Sequence, residues 1–302
     1  MIFNYALRTI GKIGFLALFL LLGSCKEKDG TPEKKEDDKH KTVSIFELGK
    51  NQLDNSVFYN DTILVFNSKD LVASIASNRM IKLLSTEYLI QTGLSLNNIK
   101  NLRIEGSSNT KIRLVGAGSN VILIQGSHNI QMDSLIVEPT DNLEEIGESG
   151  VLRIEGSYNI SLNNSLIFGR SGFGLVTDDV LNFKFINSEI RECSKLIFDL
   201  AKSRKCYFSN AIFQDNDLGI SVLGGFTFAT REVYFTNCLF ENNRPKQPGN
   251  PVFNFMENTN SSSERIVFKD CSFKNNKGYK WYGEKMELID CEVDSNDFVD
   301  FH

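Results

Sequence analysis

"VLRIEGSYNISLNNSLIFGR" runs from Val151 to Arg170, and thirty residues earlier the chain reads "VILIQGSHNIQMDSLIVEPT", from Val121 to Thr140. Internal repetition of this kind decides the architecture before any single residue is read. Later copies are "FKFINSEIREC" (183–193), "CYFSNAIFQDN" (206–216), "VYFTNCLFENN" (233–243), "IVFKDCSFKNN" (266–276) and "MELIDCEVDSN" (286–296). Each reads apolar, x, apolar, x, Asn or Asp, small residue, x, apolar. The polar position falls at Asn164, Asn187, Asn210, Asn237, Asp270 and Asp290, separated by 23, 23, 27, 33 and 20 residues. A constant pattern at a variable spacing means strands of constant length joined by loops of variable length. Propellers and leucine-rich repeats keep a stricter period.

Within each copy the apolar residues alternate, which marks a strand with one buried face. Ile160 and Leu162, Phe183 and Phe185, Cys206 and Phe208, Val233 and Phe235, Ile266 and Phe268, and Met286 and Leu288 form two inward columns. Ile167, Ile190, Phe213, Phe240, Phe273 and Val293 form another after the polar turn. A further strand earlier in each repeat supplies Ile122/Ile124, Leu152/Ile154, Leu175/Thr177, Phe198/Leu200, Ile220/Val222 and Phe253/Phe255. Three short strands per turn, each stacked on its counterpart one turn later, describe an all-β fold, a single-stranded parallel β-helix.

Asparagine tolerates the left-handed conformation of a tight turn. With coils about 4.8 Å apart, successive Asn amides bond one another, so the polar position predicts a ladder with Asn210 and Asn237 at least half-buried on adjacent coils. Asn216, Asn243, Asn276 and Asn296 predict a second ladder. Cys238, Cys271 and Cys291 share the register of Ser165, Ser188 and Ala211, so these thiols read as small inward core residues. A Cys238–Cys271 disulfide in an oxidising envelope is the competing reading. At the front, "NSKDLVASIASN" (67–78) predicts a helix over 69–77 with Asn67 or Ser68 as N-cap. Leu71, Val72, Ile75 and Ala76 would face the first coil as its lid.

On the strand pattern and the Asn ladders, from about Met80 to Asn296, the chain resembles the right-handed parallel β-helix superfamily of pectate lyases and related bacterial repeat proteins. Right-handedness follows from that resemblance and from the general crossover rule. The superfamily's catalytic signatures are missing. There is no "WIDH" and no Arg-x-Pro-x-x-Arg stretch as in pectate lyases, and of the polygalacturonase motifs only Asp178-Asp179 is a partial match. His40 falls in a charged linker, His302 is terminal, and His128 sits at a turn with no acid in register.

At the N-terminus, Arg8 and Lys12 precede an apolar run from Ile13 to Leu22. A run of about ten residues is too short to span a bilayer of roughly 30 Å, and it reads as a signal peptide. Leu22-Gly23-Ser24-Cys25 resembles the bacterial lipobox, which makes Cys25 the expected lipidated first residue of the processed chain. "KEKDGTPEKKEDDKHK" (26–41) cannot bury a core and reads as a solvated tether. The expected organisation is therefore signal peptide 1–24, lipidated tether 25–41, N-terminal cap 42–79 and β-helix 80–302, about 260 residues of cap and body, enough for one substantial domain. The expected location is the bacterial envelope, on the outer membrane or cell surface, with the membrane as partner through the anchor.

The net charge of −5 and the interspersion of Lys and Arg with acids exclude a nucleic-acid footprint. Beyond Cys25 there are five cysteines with no metal-ligand spacing, so neither a disulfide framework nor a metal centre is expected. Two groups of residues are candidates for function. Arg153 and Asp199, beside Glu155 and Asp178, lie in outward columns on neighbouring coils. They read as a solvated mixed-charge face with Arg153 pairing Asp178, or as groups for lyase or hydrolase chemistry on a polysaccharide. Calcium is a cofactor only under the lyase alternative. The loops 242–251 and 275–283 leave equivalent corners and offer Arg244 and Lys246 with Tyr279, Trp281 and Tyr282. Flat rings and cations suit a sugar, and a cover for the last coil is the competing reading. The expectation is an envelope-anchored, carbohydrate-contacting or adhesive module, with a polysaccharide lyase or glycoside hydrolase as the alternative. The oligomeric state stays open.

Overall fold

The computed structural model describes residues 59–116, 118–140, 150–170, 172–218, 224–227, 230–245, 253–255, 266–277 and 286–294, with 218, 224–227, 245 and 253–255 described by backbone alone. The chain winds through three parallel sheets of ten, nine and seven strands, here sheets I, II and III. One coil runs through Tyr158–Asn163 in sheet I, Leu166–Arg170 in sheet II and Leu175–Asp178 in sheet III, and the next opens with Leu181–Ile186 back in sheet I. Strand pairing is parallel throughout, as in Ile160↔Phe183↔Cys206↔Val233. The expected parallel β-helix with three strands per coil is the observed fold.

The inward columns meet along the axis, and Ile160, Leu162, Phe183, Phe185, Phe208, Phe235 and Phe268 are all buried. Phe208, Phe235 and Phe268 stack at 4.5 and 4.6 Å between ring centroids. Phe213, Phe240 and Phe273 stack at 4.7 and 4.8 Å. These distances match the spacing of hydrogen-bonded strands, about 4.7–4.9 Å, so identical residues in identical register stack without adjustment. The last coil differs. Leu288 and Val293 belong to inward columns yet are 41% and 40% exposed, because no further described coil covers them.

Each corner is a single residue in the left-handed region. Asn164, Asn187, Asn210, Asn237, Asp270 and Asp290 all have φ between 48° and 53°, at the junction of sheets I and II. Asn187 donates to Asn164, Asn210 to Asn187 at 2.9 Å, and Asn237 to Asn210 at 2.7 Å. The ladder is as expected, but its burial is not, since Asn187, Asn210 and Asn237 are exposed. A left-handed residue at this corner throws its side chain outward, and the next residue, Ser165, Ser188, Ala211 or Cys238, turns in and is buried. The second ladder is buried: Asn216 donates to Asn243 at 2.7 Å and Asn243 to Asn276 at 2.8 Å. Asn296 lies outside the described residues. A third ladder, unanticipated, joins Asn78, Asn101, Asn129, Asn159 and Asn182 at the start of sheet I, with bonds of 2.7–2.9 Å.

The front of the solenoid departs from expectation in three ways. Asp61–Val65 already pairs in parallel with Arg79–Leu83, so sheet I begins inside the segment assigned to the cap. The helix spans Ser68–Ser74, shorter than 69–77, because Ile75 turns extended. Its N-cap is Asn67, whose side chain accepts from the Asp70 amide at 3.0 Å. Leu71 is buried and Ile75 packs partly on the core, but Val72 is exposed. Tyr88 seals this end, donating its hydroxyl to the Val65 carbonyl at 2.7 Å. A fourth departure lies in sheet III. Phe198 pairs with Gly224 and Leu200 with Phe226, and these in turn with Phe253 and Phe255, so the strand expected at Ile220/Val222 lies at Gly224–Thr227. More residues separate this strand from Ile212–Gln214 than separate Phe198–Ala201 from Glu189–Cys193, a change that local alternation does not register.

Candidate functional site on the seven-stranded sheet

Alternation places Leu152 and Ile154 inward and Arg153 and Glu155 outward, and register does the rest. Arg153, Val176 and Asp199 form one column across sheet III, and Glu155, Asp178 and Ala201 the next. Asp178 and Asp199 are thus diagonal neighbours on adjacent strands. Strand spacing and a two-residue step place their Cα atoms about 8 Å apart. The structure therefore brings Arg153, Asp178 and Asp199 onto one face, as the sequence implied.

The pairing within that face is different. Arg153 bonds Glu155 through Nε rather than Asp178, because residues two apart on one strand share a face. Gln125 holds the other Glu155 oxygen at 3.0 Å. Asp178 is paired with Lys202 at 3.3 Å. Asp199 is half-buried, and its Oδ1 has no hydrogen-bond partner among the described residues. Beside it Val176 joins Phe173 and Leu196 in a small apolar cluster on the outside of the solenoid. Burial raises the Asp199 carboxyl above the ordinary value, Arg153 opposes the rise, and Asp178 adds to it. One carboxylate is ion-paired and its neighbour is a weakened acid; environments that differ in this way divide acid from base roles. No three His, Cys, Asp or Glu side chains among the described residues converge where a metal ion could sit.

The loop candidates are placed only in part. Arg244 is exposed, and its strand pairs with Asp217–Leu218 one coil earlier. The Lys277 amide donates to the Asn243 carbonyl at 2.9 Å, so the two loops do leave adjacent corners between sheets II and III. Lys246, Tyr279, Trp281 and Tyr282 lie outside the described residues, as do Cys25, the signal peptide and the tether. Among the described residues no helix is long and apolar enough to cross a membrane. The five described cysteines are free thiols. Cys238 donates to the Phe208 carbonyl and Cys271 to that of Phe235. Hydrogen bonding with Cys238, and then burial, pushes the Cys271 thiol far up, as befits core residues.

One charged cluster escaped the sequence reading. On the outer face of sheet II, Glu138 is 2% exposed, with Arg113 and Arg170 each at 3.0 Å and Lys111 at 3.6 Å. Glu138 shares a column with Arg113, a register visible only when strands are aligned across coils. Three cations around one buried carboxylate balance its charge, so this cluster holds the face together. His128 stacks on Tyr158 at 4.6 Å on sheet I, and burial followed by Lys100 lowers its pKa.

No protein-family model matches the chain, and no curated protein matches it. Solved structures do. Pectin methylesterase PemA from Erwinia chrysanthemi is 13% identical, over 81% of this chain and 93% of that one, with a TM-score of 0.52. A pectin methylesterase in complex with a hexasaccharide is 14% identical over the same shares, with a TM-score of 0.53. Identity this low carries the fold alone: the chain shares the parallel β-helix fold of these pectin methylesterases.

Proposed function

We propose that this protein is an envelope-anchored β-helix that holds polysaccharide against the outer face of sheet III, as a carbohydrate-contacting or adhesive module. The observation that carries the reading is the Arg153–Val176–Asp199 column. It sets a cation and a half-buried carboxyl without a described bond to its Oδ1 on either side of Val176, which is itself buried. The like-folded pectin methylesterase with its hexasaccharide supports the ligand class. On the sequence pattern, Arg244, Lys246, Tyr279, Trp281 and Tyr282 are the further residues proposed to contact the ligand. Cys25 carries the lipid and 26–41 the spacer, facing the cell surface.

A second reading is favoured by the unequal carboxyls. Asp199, a raised acid, beside ion-paired Asp178, is an arrangement that can donate a proton in hydrolysis or ester cleavage of a glycan. One experiment separates the two. The full chain is incubated with uronate-containing and neutral oligosaccharides, with and without calcium, while binding and new reducing or unsaturated ends are followed. Binding without turnover, weakened by Arg153→Ala and Asp199→Ala, supports the module. Turnover lost in Asp199→Asn supports the enzyme, and neither binding nor turnover removes both. Cys25→Ala should release the protein from washed membranes, and retention would refute the anchor.

A further inference from the structure

A groove of about 390 Å³ runs along the corner between sheets I and II, on a different flank from the charged column of sheet III. One wall is the exposed amide ladder of Asn164, Asn187 and Asn210. The floor is the outward column of sheet II, where Ile136, Leu166 and Ile212 are half-buried. Three strand steps separate Ile136 from Ile212, so the groove extends about 14 Å parallel to the solenoid axis.

We propose that this groove binds a neutral polysaccharide lying along the axis, with the amides of Asn164, Asn187 and Asn210 along one side and the aliphatic side chains of Ile136, Leu166 and Ile212 beneath it. An Asn amide has two N–H donors and an oxygen with two lone pairs, and the ladder uses one of each. Each of the three Asn-bearing coils therefore presents a donor and an acceptor, the pair that a sugar hydroxyl needs. The half-buried aliphatic floor suits the C–H face of a sugar ring. An extended peptide fits less well, because strand addition needs free backbone groups. Here the amides of Leu166, Glu189 and Ile212 already donate to the preceding coil at 2.8–2.9 Å. Charge selects against an anionic glycan. The charged lining residue is Glu189, in the floor between Leu166 and Ile212, whose Oε1 accepts from Gln214 at 2.8 Å and lies 3.5 Å from Arg191. The groove is independent of the sheet III reading, and it makes the protein bifacial.

The test is calorimetric titration of the full chain with cellohexaose, with a hexauronate and with an extended Ala-rich peptide as comparison probes. The neutral hexasaccharide should bind, and Leu166→Glu, on the outer surface, should weaken it at least tenfold with the unfolding midpoint unchanged. Asn210→Asp, which keeps shape but adds charge, should weaken it several-fold. The titrations are made on the full chain carrying Arg153→Ala and Asp199→Ala, with Leu166→Glu and Asn210→Asp added to it, so that the sheet III surface contributes no signal. In that background, no binding of the neutral probe, binding unaffected by Leu166→Glu, or tighter binding of the hexauronate or the peptide than of cellohexaose would each overturn the proposal.

Discussion

The two Asn ladders that flank sheet II use the same residue and the same amide-to-amide bond, yet one is exposed and the other buried. Asn237 occupies the left-handed position itself, with φ of 52°, and faces out. Asn243 follows a left-handed residue, Asn242, and faces in at 0% exposure. The same rule holds at Asp215–Asn216 and Asn275–Asn276, and at Lys202–Ser203 on the corner that leaves sheet III. Position relative to the left-handed residue, more than residue type, decides what a ladder contributes. Outside, the amides compete with water and mainly relieve backbone strain. Inside, they satisfy groups that no water reaches.

The inner ladder is where the comparison should break most visibly. Asn243 accepts from Asn216 Nδ2 at 2.7 Å and donates to the Phe213 carbonyl at 2.9 Å. Asn243→Leu orphans both groups, each at about 1–3 kcal/mol, so a loss of about 2–6 kcal/mol is expected in denaturant unfolding. A loss under about 1 kcal/mol would mean that water reaches this corner. The outer ladder should give less. Asn237→Leu forces a branched side chain into the left-handed region, at roughly 1–2 kcal/mol. Asn237→Gly removes the same amide bond without that strain, so it should cost less than Asn237→Leu. Equal losses from the two substitutions would show that the exposed amides, and not the turn conformation, carry the stabilisation.

What was legible in the sequence follows from this geometry. Alternation along a strand exposes the inward columns, so Phe208, Phe235 and Phe268 could be placed without coordinates. The outward ladder at Asn187 and Asn237 was legible as a ladder but not as exposed, because both faces of a corner are written with the same letter. Cross-coil register is invisible to local alternation. That is why Glu138 and its cations were missed, and why Ile220/Val222 alternated persuasively in the wrong place. Arg153, Asp178 and Asp199 were found because their columns sit on short strands of constant spacing. Their actual pairings were not, since Arg153 reaches Glu155 on its own strand.

A half-buried group that lacks the partners of the inner ladder should reveal itself through pH. The Asp199 carboxyl is raised from the ordinary 3.8 chiefly by burial. The folded state then binds its proton more tightly than the unfolded chain does. Its contribution is complete below the ordinary Asp range and is lost as pH rises through the raised value. Asp199→Asn should remove that slope. The variant's unfolding midpoint should gain on the unmodified chain as pH rises across the weakly acidic range. A constant difference would mean that Asp199 is solvated and that the sheet III face has no weakened acid.

The smallest effect should come from the third row at the same corner, the inward residues that follow the outer ladder. Ser165 and Ser188 occupy it in earlier coils and Cys238 and Cys271 in later ones, all buried. Ser188 donates to the Ile186 carbonyl at 2.8 Å, two residues back, and Cys238 donates to the Thr236 carbonyl at 3.4 Å in the same way. Cys238 also reaches the Phe208 carbonyl one coil earlier at 3.4 Å. A hydroxyl can make the first bond in the space of a thiol and is a stronger donor, while its shorter reach weakens the second. These changes oppose each other, so Cys238→Ser should shift stability by less than about 1 kcal/mol, within the ordinary value of one net hydrogen bond. Thiol labelling sharpens the point. Among the described cysteines, half-exposed Cys291 should react in the folded protein, whereas Cys206, pushed up to about 12 by burial, should react only after unfolding. A loss of several kcal/mol in Cys238→Ser, or prompt labelling of buried Cys238 in the folded protein, would show that the row is more than a column of small core residues.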